Sequence, residues 1–128
     1  MSEALFANYV TPDTINAWYA LSAKSILPLT TPDDPESKAY LSTFTLSESF
    51  EIAVLDIRSI IRNPWSFIAE EPIVIVPNMS SFPVLMKSGS TFYADKVHLT
   101  TTSTTLTFNV DGSSGYVNAF SMLLYIMR

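Results

Sequence analysis

The single histidine, His98, stands three residues after Asp95 in the run DKVHL. A carboxylate beside an imidazole can act as a general acid–base pair. On a strand, however, residues three apart point to opposite faces, so the spacing favours a histidine that faces solvent or a neighbouring strand. A serine nucleophile would need a positioned base and an oxyanion hole. The chain has no G-x-S-x-G elbow, and the serines of GSSG (112–115) read as loop residues. Asp33, Asp34 and Glu36 are hard-oxygen groups of the kind calcium prefers, but they lack the spaced ligands and the glycine of an EF-hand loop and read as a solvated turn. The three glycines, Gly89, Gly112 and Gly115, form no phosphate-cradling pattern. With no cysteine there is no thiolate zinc site, thiol nucleophile or disulfide. The expectation is a protein that is not an enzyme, with no catalytic residue, cofactor or metal.

The aromatic side chains offer a different chemistry. Exposed rings beside Asp or Asn can stack on and hydrogen-bond a sugar, as in β-sandwich carbohydrate-binding modules. Tyr93 with Asp95, and Tyr116 with Asn118, would meet that requirement on an outer face. Packing in a core or an interface is the commoner fate of rings at this density. Carbohydrate is therefore the alternative partner.

Charge restricts the partners further. The net charge is −5, and the seven Lys and Arg residues are scattered, with only Arg58 and Arg62 close together. Nucleic-acid binding needs clustered cations, so it is excluded. Charged residues make up 15% of the chain, against roughly 25% in an ordinary soluble domain. Ser and Thr take up some of the polar duty. The remaining apolar surface predicts a partner, either copies of the chain itself or another structural protein. The start MSEALFANYV has neither the basic segment nor the long apolar segment of a signal peptide. No apolar run approaches the roughly 20 residues of a membrane span. The expectation is a chain made in the cytoplasm, either remaining there or leaving as part of a larger particle.

The elements that must position these residues divide at about residue 40. Thr11-Pro12-Asp13 is a helix-start signal. Ile15, Trp18, Tyr19, Ser22 and Ile26 recur at helical spacing, which predicts a helix over about 12–26 within an N-terminal arm, 1–40. From Leu41 the pattern is β. LSTFTL alternates, and FEIAVLDIRSII (50–61) fits either a helix face or a strand, with strand preferred for its Phe, Ile and Val content. Asn63-Pro64 marks a turn. PIVIVP (72–77) reads as a short strand buried on both faces. FPVLMK (82–87) and TFYADKVHL (91–99) read as a hairpin about Ser88-Gly89-Ser90, with Pro83 at an edge or a strand start.

TLTFNV (105–110) has the cleanest period of two, with Leu106, Phe108 and Val110 inward and Thr105, Thr107 and Asn109 outward. The loop DGSSG would join it as a hairpin to the last strand. In that strand both faces are apolar from Phe120 to Met127 apart from Ser121. A strand with one face in water alternates, so this one is expected inside its sheet, its second face covered by the N-terminal helix or a neighbouring subunit. These expectations add up to a small antiparallel β-sandwich, jelly-roll-like or barrel-like, over 41–128.

Such a domain, acidic, cysteine-free and rich in Ser/Thr strands, resembles in style the decoration, head-fibre or tail components of bacteriophage particles, although no motif carries the likeness. The resemblance implies a structural subunit that packs as a homo-oligomer or onto a virion. Candidates for the partner interface are Trp18, Tyr19, Phe120, Leu123, Tyr125 and Met127.

Overall fold

A computed structural model describes residues 20–34, 40–112 and 118–128. The chain is mainly β, and its strands form three antiparallel sheets. The first sheet has the order β1 (Ala23–Leu29), β11 (Ala119–Met127), β3 (Ala53–Arg62) and β4 (Trp65–Phe67), with β5 (Ile73–Ile75) also paired to β3. The ten-residue β3 is long enough to take β4 at its end and β5 at its start along one edge. The second sheet has the order β2 (Leu41–Thr45), β10 (Thr105–Val110), β9 (Val97–Thr101) and β6 (Phe82–Pro83). A hairpin of β7 (Met86–Ser88) and β8 (Thr91–Tyr93) makes the third, held to the first by a bridge between Ile68 and Lys87.

Both larger sheets contribute to one core. Leu55, Ile57, Ile60, Phe120, Met122 and Leu124 from the five-stranded sheet meet Phe44, Leu99, Leu106 and Phe108 from the four-stranded one. The rings of Phe44 and Phe120 meet edge to face at 5.0 Å, and Phe108 lies 5.3 Å from Phe120, spacings at which aromatic pairs attract.

Several expected elements are present. Residues 53–62 are strand, with Ala53, Leu55, Ile57 and Ile60 in the core. In β10 the inward residues Leu106, Phe108 and Val110 are buried, and its outward ones are not. Pro83 sits in β6, at the sheet edge, where its missing N–H leaves no ladder gap. β11 lies between β1 and β3 and is interior to its sheet.

Other expectations need correction. Residues 20–22 are helical, but the helix does not reach Ile26, because Ala23–Leu29 pairs with β11 as an edge strand. Pro28 is tolerated there since, among the described residues, only one side of β1 is hydrogen-bonded. The earlier part of that expected helix lies outside the described residues. β5 is only half-buried; it pairs with β3 alone, and Val74 points to the open face. β10 and β11 are not hairpin partners. They lie in different sheets, and the connection between them crosses from one sheet to the other. The hairpin expected over 82–99 is divided: β7 and β8 pair with each other, while β6 pairs with β9.

Candidate functional site

The residues that could meet a partner fall on three surfaces. The first is the face of the five-stranded sheet turned away from the core. In β11 the even positions Phe120 to Ile126 enter the main core, whereas Tyr125 joins a separate cluster with Ala23 and Val54, flanked by Leu123 and Met127. Leu123, Tyr125 and Met127 therefore share the outer face. Phe120 is a core residue, its ring enclosed by Phe44 and Phe108, and is no surface contact. Trp18 and Tyr19 lie outside the described residues.

The second surface is built by the β7–β8 hairpin. Gly89 occupies the first turn position at a φ of 62°, the positive value that a two-residue hairpin turn requires. That turn fixes the register: Met86 and Tyr93 form one pair and Lys87 and Phe92 the next, so they point to opposite sides. Met86 is buried, while Phe92 stays 53% exposed and the neighbouring Leu85 60% exposed. With Ile68 and Ile73 they border a recess of about 270 Å³ whose rim carries Glu70, Glu71 and Lys87. Lys87 Nζ donates to Glu70 Oε1 at 2.9 Å and stands 5.4 Å from the centre of the Phe92 ring. The arrangement is an apolar concavity with a polar rim. Sequence reasoning missed it. The available signal was Phe92 opposite Lys87 in a tight hairpin, where only one of the two faces can reach a core.

The third surface is a polar recess of about 280 Å³ at one end of the four-stranded sheet, lined by Tyr40, Asp95, Lys96, His98, Asn109 and Asp111. Asp95 precedes β9 in a bend, so the strand alternation does not govern it, and it borders the same recess as His98. Lys96 Nζ donates to Asp111 Oδ2 at 3.0 Å. That bond is the main reason why the Lys96 ammonium is held above its ordinary value and the Asp111 carboxyl below its own. The same ammonium lies 5.2 Å from the Trp65 ring centre, within cation–π range. Tyr93 is half-buried against Trp65 at 4.9 Å and Phe67 at 6.2 Å.

Asn118 is buried and turned inward. Its Oδ1 accepts from Arg62 Nη1 at 3.0 Å, and its Nδ2 donates to Ser42 Oγ at 2.5 Å. Arg62 is itself fully buried, its guanidinium 4.6 Å from the Tyr40 ring centre. Gly112 packs over this side chain; a Cβ there would stand 2.9 Å from Arg62 Cγ. Asn118 thus serves a network that ties the two sheets, and Tyr116 lies outside the described residues. Among the described residues no group of three or more His, Asp or Glu side chains could hold a metal ion, and no helix is long and apolar enough to cross a membrane.

No family model, no curated protein and no solved structure matches this chain.

Proposed function

We propose that this protein is a non-enzymatic structural subunit, a small β-sandwich that packs against copies of itself or onto a larger particle of the bacteriophage virion kind. The observation that carries the reading is the hairpin patch. Ile68, Leu85 and Phe92 stay exposed around one concavity, on a chain whose charged content is only 15%. Scattered apolar side chains are normal on a surface, whereas a contiguous group about a recess with a polar rim marks an interaction site. Aromatic residues at such a centre supply a large share of binding energy.

Size-exclusion chromatography with light scattering tests it. The intact chain elutes as an oligomer, and the Leu85→Glu/Phe92→Glu double variant shifts to monomer with its thermal transition nearly unchanged, since both positions are exposed. An intact chain that stays monomeric at high concentration overturns self-assembly.

A second reading, carbohydrate binding, is favoured by the polar recess, where hydrogen-bonding groups of both polarities stand beside the Tyr40 ring. A glycan array with the intact chain and Tyr40→Ala decides it; binding to no glycan removes this reading and leaves the first intact.

A further inference from the structure

The strand edges of this molecule are not alike. A free edge offers unpaired N–H and C=O groups to another strand, and proteins blunt such edges with proline, charge or a covering segment. β1 carries Pro28 and β6 carries Pro83. β5 is bounded by Pro72 and Pro77. β2 is covered: the Thr43 carbonyl accepts from the Asp33 N–H at 2.7 Å, and the Thr43 N–H donates to Asp34 Oδ1 at 3.4 Å. β8 has none of these devices. Thr91-Phe92-Tyr93 contains no proline and no charge, and all three are strong strand formers. Among the described residues only β7 pairs with it.

Hydrogen-bond parity tells which groups face that edge. Antiparallel partners alternate between pairs that exchange both backbone bonds and pairs that exchange none. The N–H and the C=O of Lys87 both bond to Ile68, each at 2.8 Å, so the pair Lys87–Phe92 is of the second kind. The N–H and C=O of Phe92 therefore point out of the hairpin, toward the open edge. The Phe92 ring borders the same recess as Lys87 and Ile68. The bridge at Ile68, just after β4, joins this hairpin to the end of the five-stranded sheet, which makes β8 its outermost strand on that side.

We propose that β8 pairs antiparallel with β8 of a second copy about a two-fold axis at Phe92, so that one sheet runs across the dimer. The inference rests on the assembly reading and deepens it, naming the partner as a second copy and the contact as a strand edge. Self-complementarity argues for that occupant. With Phe92 on the axis, each Phe92 N–H donates to the Phe92 C=O of the partner subunit, and one isologous contact satisfies both outward groups. Thr91 then stands opposite Tyr93 of the partner subunit, and Ser90 opposite Ala94 of the partner subunit, so no charge meets a like charge. The two Phe92 rings lie side by side on one face, each covering apolar surface that is in water on a single copy. The two Lys87 side chains stand three strand spacings apart, about 14 Å, beyond the screening length of about 8 Å at physiological salt. Each already holds Glu70 of its own chain.

The chain has no cysteine, so Ser90→Cys takes a single nitroxide label at an exposed turn position. Across the proposed axis the two Cα atoms at position 90 stand about 14 Å apart, close enough for dipolar broadening of the nitroxide spectrum. The expected result is a parent chain that is dimeric by light scattering, and a labelled chain whose spectrum is broadened and narrows on mixing with excess unlabelled chain. A dimer without broadening overturns the strand pairing and leaves the assembly reading standing. A parent chain that stays monomeric at high concentration overturns the pairing and self-assembly together. As a second readout, free of any label, amide exchange at Phe92 of the parent slows several-fold between dilute, monomeric and concentrated, dimeric samples. Dimers with an unchanged Phe92 rate overturn the pairing as well, since a contact made by side chains alone leaves that N–H open to water.

Discussion

On the four-stranded sheet the row facing away from the core runs Thr43, Thr107, Thr100; on the five-stranded sheet it runs Ile26, Tyr125, Val54, Val74. The inner faces of both sheets are alike, built from Leu, Ile, Val and Phe in one shared core. The outer faces therefore carry the difference. Threonine keeps the β-branched shape that suits a pleated surface and adds a hydroxyl that water or a neighbour can satisfy. Thr43 Oγ1 and Thr107 Oγ1 lie 3.2 Å apart, and Thr102 and Thr105 form a second such pair at 2.6 Å. A threonine face tolerates water without a single charge, and this accounts for much of the low charge content. The apolar face has no such recourse and must be covered.

Charge insertion gives the largest expected contrast. Tyr125→Asp places an unpaired carboxylate at a buried site and is expected to cost about 3–5 kcal/mol, read as the shift of the urea midpoint. Thr100→Asp, at an exposed position on the other sheet, is expected to stay within about 0.5 kcal/mol of the parent. Equal losses at the two sites would abolish the distinction between covered and open faces.

A smaller effect sharpens it. Thr43→Val with Thr107→Val removes both members of a hydroxyl pair, which is nearly neutral for stability because no partner is left unsatisfied. The double variant does give the four-stranded sheet an apolar outer row like that of its counterpart. Its urea midpoint stays close to that of the parent while its solubility in sedimentation assays falls. A large drop in the midpoint would mean that the hydroxyl pair holds the strands together instead of dressing them for water.

The two faces were not equally legible in the sequence. In β10 the alternation of Leu106, Phe108 and Val110 with Thr105, Thr107 and Asn109 could be read directly, because one face meets the core and the other meets water. The two-sided apolarity of β11 was equally plain and placed it inside a sheet. The partners of these strands were not legible. Nothing local distinguishes a loop that closes a hairpin from one that crosses to the opposite sheet, and Phe108 and Phe120 would be apolar in either case. Ile26 fits a helix by its spacing from Ser22, while the open edge of β11 that draws residues 23–29 into a strand is almost a hundred residues away. Asn118 looked available for a ligand because its burial depends on Arg62 and Ser42, each more than fifty residues distant. The exposed hairpin patch is not legible locally, since Leu85 and Phe92 resemble core residues until the register of β7 and β8 is known.

The smallest expected effect lies at the polar end of the four-stranded sheet, where the outer face does carry charge. The Asp111 carboxyl is held below its ordinary 3.8, mainly by the hydrogen bond from Lys96. A group whose pKa is lower in the folded state contributes stability above its unfolded value, and that contribution fades as the pH falls through the lowered one. Asp111→Asn is therefore expected to be slightly less stable than the parent near pH 7, with the gap closing below about pH 4. At the other limit Lys96 is held above its ordinary 10.5, so its share persists at neutral pH and is lost only as the pH rises beyond that raised value. The pair is exposed and screened by salt, which keeps the gap near the limit of measurement at high ionic strength. Paired thermal melts of parent and Asp111→Asn at pH 3 and pH 7 check the sign. A gap that widens on acidification would mean that Asp111 is stabilised in its protonated form, and the ion pair with Lys96 would then not be what closes this end of the sheet.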